Sequence, residues 1–246
     1  MSYLFNLFFY NPLYNGLVAL LAAIPFVDAG VAVILFTIIV KLILFPLSKK
    51  SVKTQLVMKD IQPEIDQIKE KCKGNKQEEA VKTMALYKEK GVNPFSGILL
   101  VILQIPIIFA LYFIFLKGGL PKIDTSLLYS FVPIPATVNM NFLGLLDISK
   151  ANAIAAILVG LSQFFQIRFT LPKATPKKAE GGSLSFKDEL AKSMNLQMKY
   201  VLPVFITIAA WALPAVVSFY WITSNLFAIG QEVYMRQHLK KEKENK

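Results

Sequence analysis

One lysine constrains this chain more than any other residue. The run Ala29 to Leu47 reads AGVAVILFTIIVKLILFPL, and Lys41 is its only charge. A run of this length and composition is a membrane-crossing helix rather than the core of a water-soluble domain. A lysine within it costs roughly 2.5–3.5 kcal/mol at a bilayer centre, so a chain that carries one there is expected to provide it with a wet cavity. The expectation is an all-α integral membrane protein with a polar feature inside the bilayer.

The remaining composition removes other classes. Apolar residues make up 54% of the 246 residues, gathered in long uncharged runs. One cysteine, Cys72, excludes an intramolecular disulfide, and the only histidine, His238, lies in a charged tail, so zinc and histidine chemistry lack material. No enzyme and no cofactor is expected. The net charge of +11 would suggest nucleic acid in a soluble protein. Here the basic residues flank apolar runs, so topology and anionic lipid are the expected causes, and DNA is not an expected partner. Residues 1–27 carry no side-chain charge, so no cleavable signal peptide is expected.

The spans are read at residues 26–47, 93–117 and 151–171. The uncharged run Tyr200 to Gln231 holds 32 residues. That is about 48 Å as one straight helix, well beyond a hydrocarbon core of about 30 Å. With Pro214 near its middle, it is read as two spans, 196–213 and 214–235, joined by a tight turn; one long kinked helix is the rejected option. Basic residues decide the orientation. Segment 48–93 holds 11 lysines, segment 168–199 holds 7 basic residues, and the tail 236–246 holds 5. The positive-inside rule places all three in the cytoplasm. Five spans, with the N-terminus outside and the C-terminus inside, satisfy this. The apolar but interrupted stretch 1–25 is expected to be an interfacial helix on the outer face rather than a sixth span.

Between the spans, Val57, Ile61, Ile65, Ile68 and Cys72 recur at intervals of 4, 4, 3 and 4 along one helix face, with Pro63 expected to bend that helix. A turn at Gly74–Asn75 and a second helix carrying Val81, Met84, Ala85 and Tyr87, ending at Gly91, make residues 48–92 a cytoplasmic helical hairpin. Residues 172–195 are rich in Pro, Gly, Ser and Lys and read as a mobile connector. The loop 118–150 carries Leu127, Leu128, Phe131 and Phe142 and is expected to hug the outer membrane surface.

The stretches TIIVKLILFPLSKKS, IQPEIDQIKEK, ALYKEKGVNPFSG, LQIPIIFALYF and MKYVLPVFITIAAWALPAVVSFYWITSNL resemble, in the same order, the YidC/Oxa/Alb family of membrane protein insertases. The resemblance implies five transmembrane helices around a hydrophilic groove, open to the cytoplasm and to lipid and closed to the outside. It also implies a basic residue of the first span within that groove. The family usually has arginine there; the aligned residue is Lys41, which keeps the charge but lacks the planar fork. The large extracytoplasmic domain of some members has no room in this chain.

Around Lys41, Thr37 shares its face at i−4. Gln104 beside Pro106 either lines the groove or makes an interhelical hydrogen bond. Ser162, Gln163 and Gln166 give the third span a polar patch, as Thr223, Ser224 and Asn225 give the last. Tyr220 and Trp221 either contact a passing substrate or pack as an interfacial belt. Lys41 itself reads as a groove cation, against the plainer reading of a side chain snorkelling to the interface.

The expected function is a membrane protein insertase. Its partners would be nascent membrane protein clients and a bilayer with anionic lipids, with the ribosome and the Sec translocon as further candidates. The rival is a small-solute or anion transporter using Lys41 as a binding site. The missing internal repeat and the large hairpin weigh against it.

Overall fold

The structure is a computed structural model that describes residues 3–72, 75–93, 96–116, 120–170, 193 and 196–244. The expected turn residue Gly74 and nearly all of the connector 172–195 lie outside the described residues. The helices are α1 (Tyr3–Ala23), α2 (Ala29–Ile43), α3 (Phe45–Asp60), α4 (Gln62–Lys71), α5 (Lys76–Glu89), α6 (Ser96–Leu116), α7 (Ala153–Thr170), α8 (Leu202–Trp211, preceded by a π turn at Gln197–Val201) and α9 (Ala215–Glu244). The strands are β1 (Asn141–Phe142) and β2 (Leu146–Asp147), an antiparallel pair with Asn141 opposite Asp147. By length and composition, α1 and α7 can each cross a membrane, as can the bent pair α2 and α3 if it is one span. Length alone therefore does not separate an interfacial α1 from a sixth crossing.

Two proline positions explain two helix breaks. Pro46 stands in the first turn of α3, after a break at Leu44, so the run read as one span over 26–47 is helical only from Ala29 to Ile43 before the chain turns. Proline lacks an N–H and clashes with the preceding turn, so it suits a helix start and not an interior. Pro63 does the same between α3 and α4.

The chain divides into two compact units. The first comprises residues 1–41 and 106–233; the second comprises 42–105 and 234–246. In the first unit, α7 and α8 pack through Ala156, Val159, Ile206 and Ala210, with Leu202, Trp221 and Ile222 alongside. Gly160 permits this approach. A Cβ there would lie 1.9 Å from Thr207 Oγ1 and 3.2 Å from the Pro203 carbonyl oxygen. The break between α8 and α9 is held by the preceding loop: the Ala215 N–H donates to Lys150 O at 2.8 Å, and Ala151 pairs with Pro214.

The loop 120–150 is pinned to two helices. The buried Asn15 of α1 donates to Leu127 O at 2.8 Å and accepts from the Tyr129 N–H at 2.7 Å. The Tyr14 hydroxyl accepts the Asp124 N–H at 2.7 Å. Asp28, just before α2, accepts from Val31 N–H at 2.9 Å and from Leu143 N–H at 3.0 Å. At the base of the β hairpin, the Ser149 hydroxyl and then the Lys150 ammonium hold the Asp147 carboxyl below the usual carboxylate range.

The second unit contains the helical hairpin. Ile61, Ile65 and Leu86 are buried, with Val57, Ile68, Tyr87 and Val92 packed against them. Asn75 caps α5 by accepting the Glu78 N–H at 3.1 Å. Gly91, at φ 63°, ends the helix in a left-handed turn that lets the Val92 N–H reach Tyr87 O. Lys90 bridges to Glu64 of α4 at 3.1 Å. Val81 and Met84 point outward, 69% and 51% exposed, beside an open hollow of ≈ 570 Å³. The apolar positions of α5 thus form two faces, of which Leu86 lies on the inner one.

Candidate functional site

Lys41 stands near the end of α2, half-buried, one turn beyond Thr37. The Thr37 hydroxyl is buried and donates to its own helix at Val33 O, 2.6 Å away. Its polarity is therefore largely spent within α2, a common use of a hydroxyl inside an apolar helix.

The polar residues of α7 and α9 fall into two groups. Ser162 and Asn225, 7% and 6% exposed, meet each other: Asn225 Nδ2 donates to Ser162 Oγ at 3.0 Å, while Ser162 Oγ donates to Val159 O at 2.8 Å. This is an interhelical hydrogen bond across a buried seam. Gln163 and Gln166 form a ladder on α7 instead. Gln163 Nε2 donates to Gln166 Oε1 at 3.0 Å, and Gln166 Nε2 to Thr170 Oγ1 at 3.2 Å. Both are half-buried, so part of each amide remains open to its surroundings.

On α9, Thr223 Oγ1 donates to Phe219 O at 2.7 Å. Tyr220 is 3% exposed, and Ser224 one turn later is buried with no hydrogen-bond partner for its hydroxyl among the described residues. Trp221 is half-buried and packs against the α7–α8 core. Gln104 belongs to the second unit, where it is half-buried on α6.

The residues singled out from the sequence are thus not one cluster of open polar groups. The structure joins Ser162 to Asn225 and links Gln163 to Gln166. Four buried polar residues of the first unit were not singled out: Asn15, Asp28, Ser218 and Glu232. Ser218 is fully buried, and its hydroxyl has no partner among the described residues. It stands within an otherwise apolar stretch of α9, so a signal was present in the hydropathy pattern. Glu232, which directly follows the uncharged run ending at Gln231, is 3% exposed. Among the described residues no group of three or more His, Cys, Asp or Glu is placed to hold a metal. What the arrangement offers chemically is an amine, amides and hydroxyls on largely apolar helices.

Comparison with known proteins agrees with the resemblance. The family model of the 60Kd inner membrane protein matches residues 21–243. A membrane protein insertase YidC of Clostridium tetani is 32% identical over 222 residues, covering 90% of this chain and 88% of that protein. The YidC insertase of Fusobacterium nucleatum is 31% identical over 209 residues, covering 84% and 85%. That of Wolinella succinogenes is 30% identical over 214 residues, but there the match spans 87% of this chain and only 34% of the relative. On this ground the chain belongs to the 60Kd inner membrane protein family, that of the YidC/Oxa/Alb insertases.

Proposed function

We propose that this protein is a membrane protein insertase that receives client segments in a hydrophilic groove and releases them into the bilayer, with no covalent chemistry. The observation that carries the reading is the near full-length match to a relative named as an insertase, 90% of this chain against 88% of the other. The wider proposal has five crossings, the N-terminus outside and the helical hairpin and C-terminus in the cytoplasm. It rests on the distribution of basic residues. Anionic lipid at the cytoplasmic face, the ribosome and the Sec translocon are the partners those charges suit.

The physical task is to lower a desolvation cost. A polar client segment entering hydrocarbon loses its water, at several kcal/mol for each polar group left unpaired. A groove lined by amides, hydroxyls and an ammonium shortens the hydrocarbon path. Gln163, Gln166 and Lys41 are half-buried and suit that lining. Ser162, Asn225 and Thr37 are buried and already bonded, which suits the groove wall. Lys41 attracts acidic residues of the client, and the client's apolar helix then slides into lipid, driven by burial of apolar surface. The rival reading, a transporter with Lys41 as an anion site, is not favoured by relatives named as insertases.

The test is insertion of single-span clients into liposomes containing only this protein. Lys41→Arg should keep activity, because the charge is retained. Lys41→Ala should reduce insertion most for clients with acidic translocated segments. The loss should be modest, because nearby water keeps the effective dielectric well above about 4. If Lys41→Ala and Lys41→Glu both insert acidic and neutral clients as the unaltered protein does, the electrostatic role is wrong and Lys41 is a snorkelling residue. If the unaltered protein inserts no client, the insertase reading itself fails.

A further inference from the structure

The β hairpin of the first unit breaks a local rule. Its connecting loop is Leu143–Gly144–Leu145, and both Leu143 and Gly144 have left-handed backbones, at φ 50° and 72°. Such positions are normally filled by Gly, Asn or Asp, whose side chains tolerate them. Leucine there is strained, and the strain brings no burial within the protein: Leu143 is 65% exposed and Leu145 88%. A strained position that also exposes a large apolar side chain points to something outside the chain that covers it.

The tip is held firmly in this exposed position. The Leu143 N–H is taken by Asp28, itself 8% exposed. Next to the tip, the Phe142 ring lies 4.5 Å from that of Phe219, centroid to centroid. Gly30 makes room for it, since a Cβ there would meet Phe142 at 2.6 Å. Beyond the turn, the fully buried Ile148 accepts the Val216 N–H at 3.1 Å. The hairpin therefore lies across the first turns of α2 and α9. Its tip is bonded to Asp28, just before α2, and Phe26, two residues earlier in the chain, is 90% exposed.

Polarity is graded along the hairpin. No charge occurs from residue 125 to 146, while the base carries the Asp147–Lys150 ion pair, 3.0 Å long. Soon after that base, α7 begins an exposed apolar face with Ile154, 70% exposed, and Ile157, 54% exposed, on a helix long and apolar enough to cross a membrane. The exposed tip thus closely precedes, along the chain, a helix long and apolar enough to cross a membrane.

We propose that Leu143, Leu145 and Phe26 form a shallow lipid anchor. They seat in the boundary between headgroups and acyl chains of the leaflet at this end of the helices, and Asp28 is the positioning residue that aims the hairpin there. Apolar side chains presented at such a boundary gain by burial without crossing the bilayer. The proposal rests on the membrane setting of the chain and not on its insertase activity, so either can fail without the other.

The experiment uses the full chain in phosphatidylcholine liposomes, in a Cys72→Ser background. An environment-sensitive fluorophore is attached through Leu145→Cys, and in a separate protein through Lys122→Cys as the aqueous reference on the same loop. Lipids spin-labelled near the headgroup should quench the label at position 145 at least about threefold more than the label at 122. Adding Leu143→Asn, which suits the left-handed backbone, should leave the fold intact and weaken the lipid quenching at 145. Adding Asp28→Asn, which accepts through one oxygen where the carboxylate uses two, should weaken it as well. Equal lipid quenching at 145 and 122, with both open to aqueous iodide, overturns the proposal. So does energy transfer between labelled copies at position 145 without lipid quenching, because a second copy would then be the occupant.

Discussion

The helical hairpin and the α7–α8–α9 packing solve the same problem by different means. Between α4 and α5, three buried side chains, Ile61, Ile65 and Leu86, hold two helices whose other faces carry lysine and glutamate. Across α7, α8 and α9 the helices meet over small residues, Ala156, Gly160 and Ala210, and one buried amide–hydroxyl bond. The first arrangement relies on water, which drives large apolar side chains together. The second suits lipid, where apolar surface gains little by meeting more of it, and close backbone approach and hydrogen bonds decide association. Each arrangement thus carries the packing chemistry that suits the solvent proposed for it.

The comparison breaks most readily at Ile65. Ile65→Ala removes a large share of a three-residue core, with an expected loss of about 2–5 kcal/mol. That loss should stay local. Hydrogen exchange should rise over α4 and α5 while the thermal midpoint of the remaining helices is unchanged. Met84→Ala, on the exposed side of α5, should change stability by less than about 0.5 kcal/mol. If Met84→Ala matches Ile65→Ala, the assignment of inner and outer faces is wrong.

The next largest effect belongs to Gly160. A methyl group there meets Thr207 Oγ1 at 1.9 Å and backbone at 3.2 Å, so Gly160→Ala should destabilise by about 1–3 kcal/mol through overpacking. Thr207→Ala removes the nearer obstacle, and the double variant should recover part of the loss, because the carbonyl oxygen of Pro203 remains. Thermal unfolding of the four proteins in one detergent gives the coupling. An additive double variant would show that α7 and α8 do not meet at this point.

These two sites also mark what the sequence discloses. Ile61, Ile65 and Ile68 repeat at a helical interval on a water-facing element, and a periodic pattern is visible wherever one face must avoid water. Pro63 reads as a bend and Pro46 passes unread inside the span 26–47, although both stand at helix starts, where the backbone chemistry of proline is local. Gly160 carries no such mark: its partner Thr207 lies in another helix, and a glycine in an apolar run is compatible with many neighbours. The bonds from Asn15 to Leu127 and from Asp28 to Leu143 join residues 112 and 115 apart, beyond the reach of any periodicity. For the same reason, the polar residues of α7 and α9 were readable as polar, but their division into a bonded wall and a half-open ladder was not. That division depends on which side chain of α9 faces Ser162.

The smallest effect in stability sharpens the comparison most for function. Asn225→Ala removes the interhelical bond to Ser162, and such bonds in membranes average only about 0.6 kcal/mol. The thermal midpoint should therefore fall by little more than experimental scatter, and Ser162→Ala should do much the same. Gln163→Ala and Gln166→Ala should leave stability nearly unchanged, since their bonds run along one helix and remain half-open. In the proposed groove the order reverses for activity. The half-open ladder meets the client and the buried pair does not, so the glutamine variants should lower client insertion more than Asn225→Ala does at equal stability. If Asn225→Ala lowers insertion more than either glutamine variant while the thermal midpoints stay level, Asn225 acts on the client. The seam between α7 and α9 would then have to open during insertion, and the division between wall and lining would describe only the resting protein.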